Sequence, residues 1–320
     1  MRVAAIDIGT NTVLLLIAET TPQGELGAVV DRARITRLGE GVDRTRRLSP
    51  AAIDRTLACL SDYAGEIARY GVNAVGVVGT SAMRDASPAG ENSQSPRAEG
   101  SRDKSFVARA AEILGVEPRV VSGAEEAELA FSGGLLGLGL TGPVTAFDVG
   151  GGSSEVIVGV AGATVMRRQS LDIGSVRLFE RHVRSDPPSA HEMSIVSAFA
   201  LDQLLAVQPP PAGQPLVGMA GTVTSLAAIA RQVDPYDPAR IHGMRLSAVE
   251  LAETARRLTE LPLAHRVALP GLDPKRADVI PVGAALVNAI VAWARASEIV
   301  VSDRGVRWGV ALRLCRNDWS

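Results

Sequence analysis

The sequence contains few of the residues that build disulfide frameworks, metal clusters or aromatic binding surfaces. Its 320 residues include two cysteines, four histidines and 3% aromatics, and the formal net charge is −2. Cys59 and Cys315 lie far apart without metal-ligand spacing, so we expect two reduced thiols in apolar surroundings. Near-neutral charge gives no general attraction to nucleic acid or to acidic membranes, so we expect neither as a partner, and any polyanion needs a local site.

Long apolar runs are also scarce. A membrane-spanning helix needs roughly 20 consecutive apolar residues, and the apolar segment 290–299 is interrupted by Arg295 and Glu298. Near the N-terminus, Asp7 and Asn11 interrupt the apolar stretch that a signal peptide would need. We therefore expect a cytoplasmic protein.

An internal repeat is the main organising feature. The segments AAIDIGTNTVLLLIAE near the start and TAFDVGGGSSEVIVGV near the middle both follow the pattern strand, Asp-x-Gly turn, strand. The two copies lie about 140 residues apart, which predicts a duplicated α/β fold with two domains facing each other across a cleft. The segment 87–104 has too few apolar residues for a core and is expected to form a surface loop.

Three glycine-containing turns follow apolar strands, and they begin at Asp7, Asp148 and Met219. Glycine allows the backbone to approach a ligand closely, so that consecutive N–H groups can point at phosphate oxygens. The third turn leads into an apolar helix, expected to begin near Ser225, whose N-terminus favours an anion. The set predicts a phosphate site. Its hydroxyl donors are Thr10, Ser153, Ser154, Thr222 and Thr224.

Acidic residues accompany two of these turns. Asp7 and Asp148 each end a buried strand, where an uncompensated carboxylate is costly. Either one alone is equally well explained as a turn residue that bonds its own backbone. Together they favour a magnesium site, because Mg²⁺ prefers one or two carboxylates plus substrate phosphates. Glu155, just beyond the second turn, is a third candidate near the metal.

For two further residues and one basic segment, the residue types and their spacing allow two interpretations each. Glu126 lies at the start of an apolar helix, where it either offsets the helix dipole or activates an attacking water. Arg84 either binds phosphate through its guanidinium or is an ordinary residue at a helix start. An arginine-rich segment either guides a polyanion or is a solvated surface. It comprises Arg32, Arg34, Arg37, Arg44, Arg46 and Arg47.

These motifs, in this order, resemble the exopolyphosphatase and guanosine pentaphosphate phosphatase (Ppx/GppA) family over nearly the whole chain. The matching segments include GTSAMRDA, VVSGAEEAELAF, FDVGGGSSEVIVG, SLDIGSVRLFERH, GMAGTVTSLAAI, PGLDPKRADVIPVGA and VSDRGVRWG. The likeness is greatest to the short, two-domain bacterial members. It implies two actin-like domains of the ribonuclease H-like type, 1–124 and 125–302, with 303–320 returning to the first.

The resemblance also implies roles for individual residues. Glu126 would be the catalytic base, Asp148 and Glu155 would act with the water and with Mg²⁺ or Mn²⁺, and Asp7 would be a further metal ligand. The implied phosphate-binding residues are Thr10, Asn11, Arg84, Gly150, Gly151, Gly152, Ser153, Ser154, Gly221 and Thr222. A homodimer is expected from the resemblance alone.

Two departures from the family pattern concern substrate access and chain-length preference. The segment 87–104 is longer than usual, and Trp308 stands where many members have an acidic residue. Because the tryptophan is also well suited to packing, the resemblance does not define how this end of the chain contributes to substrate choice.

The leading hypothesis is hydrolysis of the terminal phosphoanhydride bond of inorganic polyphosphate. Guanosine pentaphosphate (pppGpp) presents a similar terminal bond, and the sequence does not separate the two substrates. A sugar or acid kinase on the same fold is a weaker alternative that would require tight adenosine binding. A sensor that binds polyphosphate or nucleotide without turnover is also less favoured, because Glu126, Asp148 and Glu155 are intact.

Overall fold

The computed structural model describes residues 1–21, 24–86, 106–163 and 165–319. The loop expected at 87–104 lies outside the described residues. The chain divides into two compact units, a first formed by Met1–Ser122 with Val310–Ser320 and a second formed by Gly123–Gly309. The divisions expected from the sequence fall after residues 124 and 302. Each unit contains one mixed sheet with helices, so the α/β class is confirmed.

The first unit contains a five-stranded sheet in the order β3-β2-β1-β4-β5. Its strands are β1 (Arg2–Ile8), β2 (Thr12–Thr20), β3 (Leu26–Ile35), β4 (Ala74–Gly79) and β5 (Arg119–Val120). Its helices are α1 (Val42–Thr45), α2 (Pro50–Tyr70), α3 (Ser81–Asp85) and α4 (Phe106–Leu114). Strand β2 pairs antiparallel with β1 and β3, whereas β4 is parallel to both β1 and β5.

Helix α2 shows how local sequence sets an element in this unit. The Ser49 side chain accepts a hydrogen bond from the Ala52 N–H, and Pro50 occupies the first turn, where a missing N–H is tolerated. The helix ends at Gly71, which adopts a left-handed conformation with φ 58°. Both ends therefore follow from residue types with strong positional preferences. The buried face of α2, including Leu60, packs in the core of the first unit.

The second unit contains a six-stranded sheet in the order β10-β11-β9-β6-β7-β8. Its strands are β6 (Pro143–Val149), β7 (Ser154–Val160), β8 (Val165–Leu171), β9 (Leu216–Met219), β10 (Arg245–Ser247) and β11 (Glu298–Val301). Its helices are α5 (Gly123–Gly134), α6 (Ser175–His182), α7 (Ala190–Leu205), α8 (Ala220–Arg231), α9 (Pro238–Ile241), α10 (Ala248–Glu260), α11 (Leu263–Arg266) and α12 (Ile280–Trp293), with a 3-10 turn at Pro274–Arg276. The last helix, α13 (Val306–Cys315), carries the chain from Gly309 of the second unit to Val310 of the first.

The two sheets repeat one topology. The order β8-β7-β6-β9-β11 in the second unit matches β3-β2-β1-β4-β5 in the first. The strand directions match as well, since β7 is antiparallel to β6 and β8 while β9 is parallel to β6 and β11. The internal repeat read from the sequence therefore corresponds to a duplicated fold.

The start of α8 differs from the sequence prediction. The helix begins at Ala220 rather than near Ser225, so Gly221 and Thr222 lie in its first turn. The reason is the backbone of Ala220, which has φ 63° and turns the chain directly from β9 into the helix. A non-glycine residue rarely adopts this left-handed conformation, and it costs of order 1–3 kcal/mol. The expected start near Ser225 is therefore wrong.

The core of the second unit is formed largely around α12, whose side chains are buried on nearly every face. None of the helices in the described part of the chain is both long enough and apolar enough to cross a lipid bilayer.

Candidate active site

Three carboxylates of the second unit lie near one another, and two of them are buried. Asp148 and Glu155 lie directly opposite each other on the antiparallel strands β6 and β7, so their side chains share one face of the sheet. Glu155 is 2% exposed, and Glu126, in the first turn of α5, is 8% exposed. The hairpin register and the start of α5 thus bring the sequence-predicted acidic residues of this unit together.

The pKa shifts report the proximity of these groups. Burial, followed by the charge of Glu126, raises the pKa of Asp148 to about 7. Burial also raises the pKa of Glu155 well above its usual range, and the charges of Glu126 and Asp148 raise it further. Hydrogen bonds from Ser153 and Ser170 act in the opposite direction on Glu155. Carboxylates that repel one another in an apolar setting are stabilised when a bound proton or cation neutralises part of their negative charge.

The glycine-rich turn between β6 and β7 has the form of an anion-binding loop. A hydrogen bond of 3.0 Å from the Gly150 N–H to the Ser153 carbonyl closes the turn. The N–H groups of Gly151, Gly152 and Ser153 donate to no acceptor within the described residues. Consecutive N–H groups without internal partners form a concave site suited to phosphate oxygens.

The carbonyl groups of the same turn are held by the start of α6. The Ser175 N–H donates to the Gly150 carbonyl at 2.9 Å, and the Val176 N–H donates to the Gly151 carbonyl at 2.9 Å. The buried Arg177 donates from Nε to the Gly152 carbonyl at 2.6 Å. Because these carbonyl oxygens already accept hydrogen bonds, the N–H groups are the polar backbone groups of the turn that are available to a ligand.

The first turn of α8 is hydrogen-bonded to the end of β6, just before the glycine-rich turn. The Thr222 hydroxyl donates to the Val149 carbonyl at 2.7 Å. The guanidinium of Arg276 lies so close to Gly221 that a Cβ atom there would be 2.4 Å from its NH2 atom. Burial lowers the pKa of Arg276, while Asp273 and Tyr236 partly offset that effect. Glycine leaves room for this cation beside the predicted phosphate-binding turn, and a larger residue would require the guanidinium to shift.

The two serines of the turn have different surroundings. The Ser154 hydroxyl is buried and donates to the Ile173 carbonyl, which ties the turn to the segment before α6. Ser153 is 4% exposed and interacts with the Glu155 carboxylate. Ser153 is therefore the member of the pair that adjoins the acidic group.

The remaining predicted site residues belong to the first unit. Asp7 is buried at the end of β1, and Thr10 and Asn11 form the turn between β1 and β2. The Gly9 N–H donates to the Thr12 carbonyl at 3.0 Å and closes this turn. Arg84, on α3, donates from NH1 to the Val121 carbonyl at 3.0 Å.

The described residues contain no group of three or more His, Cys, Asp or Glu side chains that would enclose a metal ion unaided. A magnesium ion requires fewer protein ligands, since water and substrate phosphates complete its octahedral shell. Asp148 fits this role because its Oδ1 atom is buried and accepts no hydrogen bond from the described residues, although the residue as a whole is partly exposed. Its neighbour Glu155 supplies a second hard oxygen donor.

Sequence reasoning missed three residues that the structure places around the site. Arg177 holds the glycine turn, Arg276 lies against Gly221, and the Ser170 hydroxyl donates to Glu155 Oε1 at 2.9 Å. Arg177 and Arg276 lie in segments that carry the family resemblance, so the motif residues themselves were the available signal. Ser170 lies on strand β8, and its position opposite Glu155 follows only from the strand register.

Comparisons with known proteins show the family to which the chain belongs. The model of the Ppx/GppA phosphatase family matches residues 16–318. A Mycobacterium tuberculosis protein named Exopolyphosphatase 2 is 39% identical over 98% of each chain. A Vibrio cholerae protein named Guanosine-5'-triphosphate,3'-diphosphate pyrophosphatase is 27% identical over 98% of this chain and 59% of its own. The crystal structure of the Aquifex aeolicus Ppx/GppA family member is similar with a TM-score of 0.80 at 32% identity, covering 100% of this chain and 99% of that one.

The fold and these matches define an enzyme of the phosphatase class that hydrolyses phosphoanhydride bonds. Within that class, the chain belongs to the Ppx/GppA phosphatase family. The resemblance drawn from the sequence motifs is thereby confirmed, together with the α/β fold that it implied.

Proposed function

We propose that the protein is an exopolyphosphatase that releases terminal orthophosphate from inorganic polyphosphate. The observation that carries the proposal is the group of neighbouring carboxylates, Glu126, Asp148 and Glu155, beside a turn with three N–H groups that donate to no acceptor within the described residues. The 39% identity to a protein named Exopolyphosphatase 2 supports polyphosphate as the substrate.

Glu126 is the proposed general base. A water oxygen forms a bond to the terminal phosphorus, the bridging P–O bond breaks, and the water proton passes to the Glu126 carboxylate. The shortened chain leaves with the electron pair of the broken bond. The N–H groups of Gly151, Gly152 and Ser153 would stabilise negative charge on the phosphoryl oxygens, as preorganised donors do in other phosphoryl-transfer sites.

Asp148 and Glu155 are the proposed protein ligands of Mg²⁺, with Mn²⁺ as an alternative ion. When bound, the cation would neutralise charge on the carboxylates and on the substrate phosphates. The buried Oδ1 of Asp148 and the mutual repulsion of the carboxylates support this assignment. Asp7 stays a predicted ligand from the sequence.

Hydrolysis of pppGpp to guanosine tetraphosphate is the second candidate function. The 27% identity to a protein named Guanosine-5'-triphosphate,3'-diphosphate pyrophosphatase favours it. The same acidic group and glycine turn would serve both reactions, because each substrate ends in a phosphoanhydride bond. The two functions therefore differ in what binds the remainder of the substrate.

Phosphate release tests both proposals. Wild type, Glu126→Gln and Glu125→Gln are assayed with short polyphosphate, long polyphosphate and pppGpp, in Mg²⁺ or in EDTA. Glu126→Gln is expected to lower turnover about 10²- to 10⁴-fold, the usual contribution of a positioned base. Glu125→Gln makes the same chemical change at the adjacent position of α5 and is expected to have little effect.

The outcomes separate the alternatives. Relative kcat/KM values identify the preferred substrate, and full activity in EDTA would exclude the metal. Wild-type turnover by a folded Glu126→Gln protein would reject the base assignment. Binding of polyphosphate by the wild type without phosphate release would favour a sensor.

A cytoplasmic homodimer also remains a proposal that rests on the sequence and its resemblance. Size-exclusion chromatography with light scattering measures the molar mass in solution. A mass of one chain across the working concentration range would reject the dimer.

A further inference from the structure

The glycine turn of the first unit is joined directly to the arginine-rich segment. The Arg37 N–H donates to the Asn11 carbonyl at 3.0 Å, and the Gly39 N–H donates to the Thr10 carbonyl at 2.8 Å. These bonds fix the chain after β3 against the turn between β1 and β2. The residues that follow, up to Arg47, are therefore held beside a predicted phosphate-binding turn.

Close packing at Gly39 makes this junction tight. A Cβ atom at Gly39 would lie 2.3 Å from Cγ2 of Thr10 and 3.2 Å from Cβ of Ala82, on α3. Both distances are shorter than ordinary van der Waals contacts, so the backbone of the segment touches its neighbours with no side chain between them. The position of the segment on the first unit is thus set by packing as well as by hydrogen bonds.

The basic part of the segment is a short ordered turn that directs its arginines outward. Val42 is buried and anchors α1, and the Thr45 hydroxyl lies 2.9 Å from the Gly41 carbonyl. Arg46 adopts φ 55°, which ends the helix after a single turn. The side chains displayed at the surface by this turn, here named the arginine turn, are those of Arg44, Arg46 and Arg47.

The arginine turn differs from the other arginines of this region in its ion pairing. Arg32 pairs with Glu66, Arg34 with Asp62, and Arg55 with Glu40. Those charges are already balanced at the protein surface. Within the described part of the chain, the three members of the arginine turn form no salt bridge. Their positive charge is therefore available to an external anion.

We propose that the arginine turn is a binding site for the non-terminal phosphates of a linear polyphosphate. The proposal rests on the function proposed above and adds a substrate-length determinant on the first unit. A linear polyphosphate carries charge along its whole length, so it can contact several guanidinium groups at once, and each can bind phosphate oxygens through paired N–H donors. A tripolyphosphate has a single non-terminal phosphate, so it offers the three guanidinium groups fewer contacts than a long chain does.

Asn11 adds a second polar feature next to this turn. Its side chain is 7% exposed, and its Oδ1 atom accepts no hydrogen bond within the described residues. Buried amides normally find hydrogen-bond partners in the folded protein. A ligand that occupies the turn between β1 and β2 would supply one, through a water or a protonated phosphate oxygen.

The test compares wild type with the triple variant Arg44→Gln/Arg46→Gln/Arg47→Gln. The ratio of kcat/KM for long-chain polyphosphate to that for tripolyphosphate is expected to fall about tenfold in the variant, because exposed charge pairs each contribute modestly. Long-chain binding is also measured as a function of salt in the Glu126→Gln background. The slope of the logarithm of the binding constant against the logarithm of the salt concentration is expected to decrease in magnitude by about one for each arginine that contacts a phosphate.

A charge-matched control replaces three other exposed arginines, Arg69, Arg257 and Arg316, by glutamine. This control changes the net charge equally and is expected to leave the substrate ratio and the salt slope as in wild type. An equal effect of the control would show a general charge effect and overturn the proposal. Competition by duplex DNA at matched phosphate concentration, as strong as that by polyphosphate, would overturn it as well.

The result is distinguishable from failure of the proposed function. If wild type releases no phosphate from any polyphosphate, the hydrolase proposal fails, while the binding measurement still examines the arginine turn. If wild type hydrolyses both chain lengths and the triple variant keeps the wild-type ratio and salt slope, only the arginine-turn proposal fails. Thermal unfolding of each variant confirms that the comparison is made between folded proteins.

Discussion

The two Asp-x-Gly hairpins have similar backbone conformations but differ in the side chain that lies opposite the aspartate. In the first unit the Gly9 N–H donates to Thr12 at 3.0 Å, and in the second the Gly150 N–H donates to Ser153 at the same distance. The residue opposite the aspartate, however, is Leu14 in the first hairpin and Glu155 in the second. The duplicated fold has therefore kept the geometry of the turn while only one copy holds a pair of opposed carboxylates.

The two turns also differ in how they are held. In the first unit, carbonyl oxygens of the turn accept hydrogen bonds from backbone N–H groups of Thr36, Arg37 and Gly39. In the second, backbone N–H groups of α6 hold the Gly150 and Gly151 carbonyls, but the Gly152 carbonyl accepts from the Arg177 side chain. A backbone donor is present whatever the residue type, whereas a side-chain donor depends on one residue. A substitution of Arg177 can thus remove one of the bonds that hold the second turn without changing its backbone.

The largest expected effect comes from making the second hairpin like the first. Glu155→Gln removes a proposed metal ligand and is expected to lower kcat/KM by about 10²-fold or more, the scale found for key electrostatic groups. Glu155→Leu copies the first hairpin, and it is expected to abolish activity while leaving stability unchanged or raising it by about 1–4 kcal/mol. The reason is that replacing a buried, repelled charge by an apolar group is often stabilising.

Steady-state kinetics and urea unfolding measure the two effects. The reverse change, Leu14→Glu, places a carboxylate opposite Asp7 and is expected to destabilise the first unit without a gain in activity, because like charges in a buried setting repel. Near-wild-type activity of folded Glu155→Gln would contradict the assigned role of this residue. A large loss of stability in Glu155→Leu would contradict the argument from repulsion.

Much of this comparison could be read from the sequence, and the reasons are local. The spacing of apolar residues predicted the strands, and the repeated Asp-x-Gly pattern predicted two similar hairpins. Once the turns have equal length, the register that places Glu155 opposite Asp148 follows. The capped ends of α2 were equally local, because Ser49, Pro50 and Gly71 have strong positional preferences.

The remainder depended on tertiary structure or on unusual backbone. Arg177 contacts a turn 25 residues away, and nothing in its local sequence indicates that partner. Arg276 meets Gly221 only because the segment before α12 packs beside α8. The left-handed Ala220 has no signature in residue type, so the start of α8 was misplaced. Catalytic roles for Glu126, Asp148 and Glu155 stay predictions, since they concern a bound substrate.

An intermediate effect is expected from loosening the second turn at Arg177. Arg177→Met keeps most of the buried side-chain volume but removes the donor to the Gly152 carbonyl. An unsatisfied buried acceptor costs about 1–3 kcal/mol of stability. We expect activity to fall as well, through a raised KM more than a lowered kcat, because the turn is proposed to bind phosphate.

Arg181→Met is the matched control, since it makes the same change at an exposed position of the same helix. Its effect on stability is expected to stay within about 0.5 kcal/mol, as for most surface substitutions. Arg177→Lys is expected to recover part of the activity, because an ammonium group can still donate to the carbonyl. An equal effect of Arg177→Met and Arg181→Met on KM would remove the distinction between the two turns.

The smallest expected effect is a pH dependence confined to the second unit. All four histidines of the sequence lie between residues 123 and 309. Burial, and then the charge of Arg304, lowers the pKa of His242. Its Nε2 atom lies 3.0 Å from the Leu136 carbonyl, an acceptor, so Nε2 carries the proton of the neutral ring and the native state favours that neutral form.

The sign of the effect follows from proton binding. The unfolded chain protonates this histidine near its ordinary pKa of about 6.5, before the native protein does. The contribution to stability is therefore present above pH 6.5 and is lost as the pH falls below it. Because the ring is half-buried and partly screened by solvent, we expect a change under about 1 kcal/mol.

Urea unfolding between pH 7.5 and 5 measures this contribution as the difference between wild type and His242→Asn, which retains a donor for the Leu136 carbonyl. Taking the difference matters, because the raised pKa values of Asp148 and Glu155 give the opposite slope, adding stability as the pH falls through them. The advantage of wild type over the variant should shrink on acidification. His191→Asn makes the same substitution at an exposed position of α7 and controls for the exchange itself. If the difference in unfolding free energy between wild type and His242→Asn is constant from pH 7.5 to 5, His242 makes no pH-dependent contribution to the stability of the second unit.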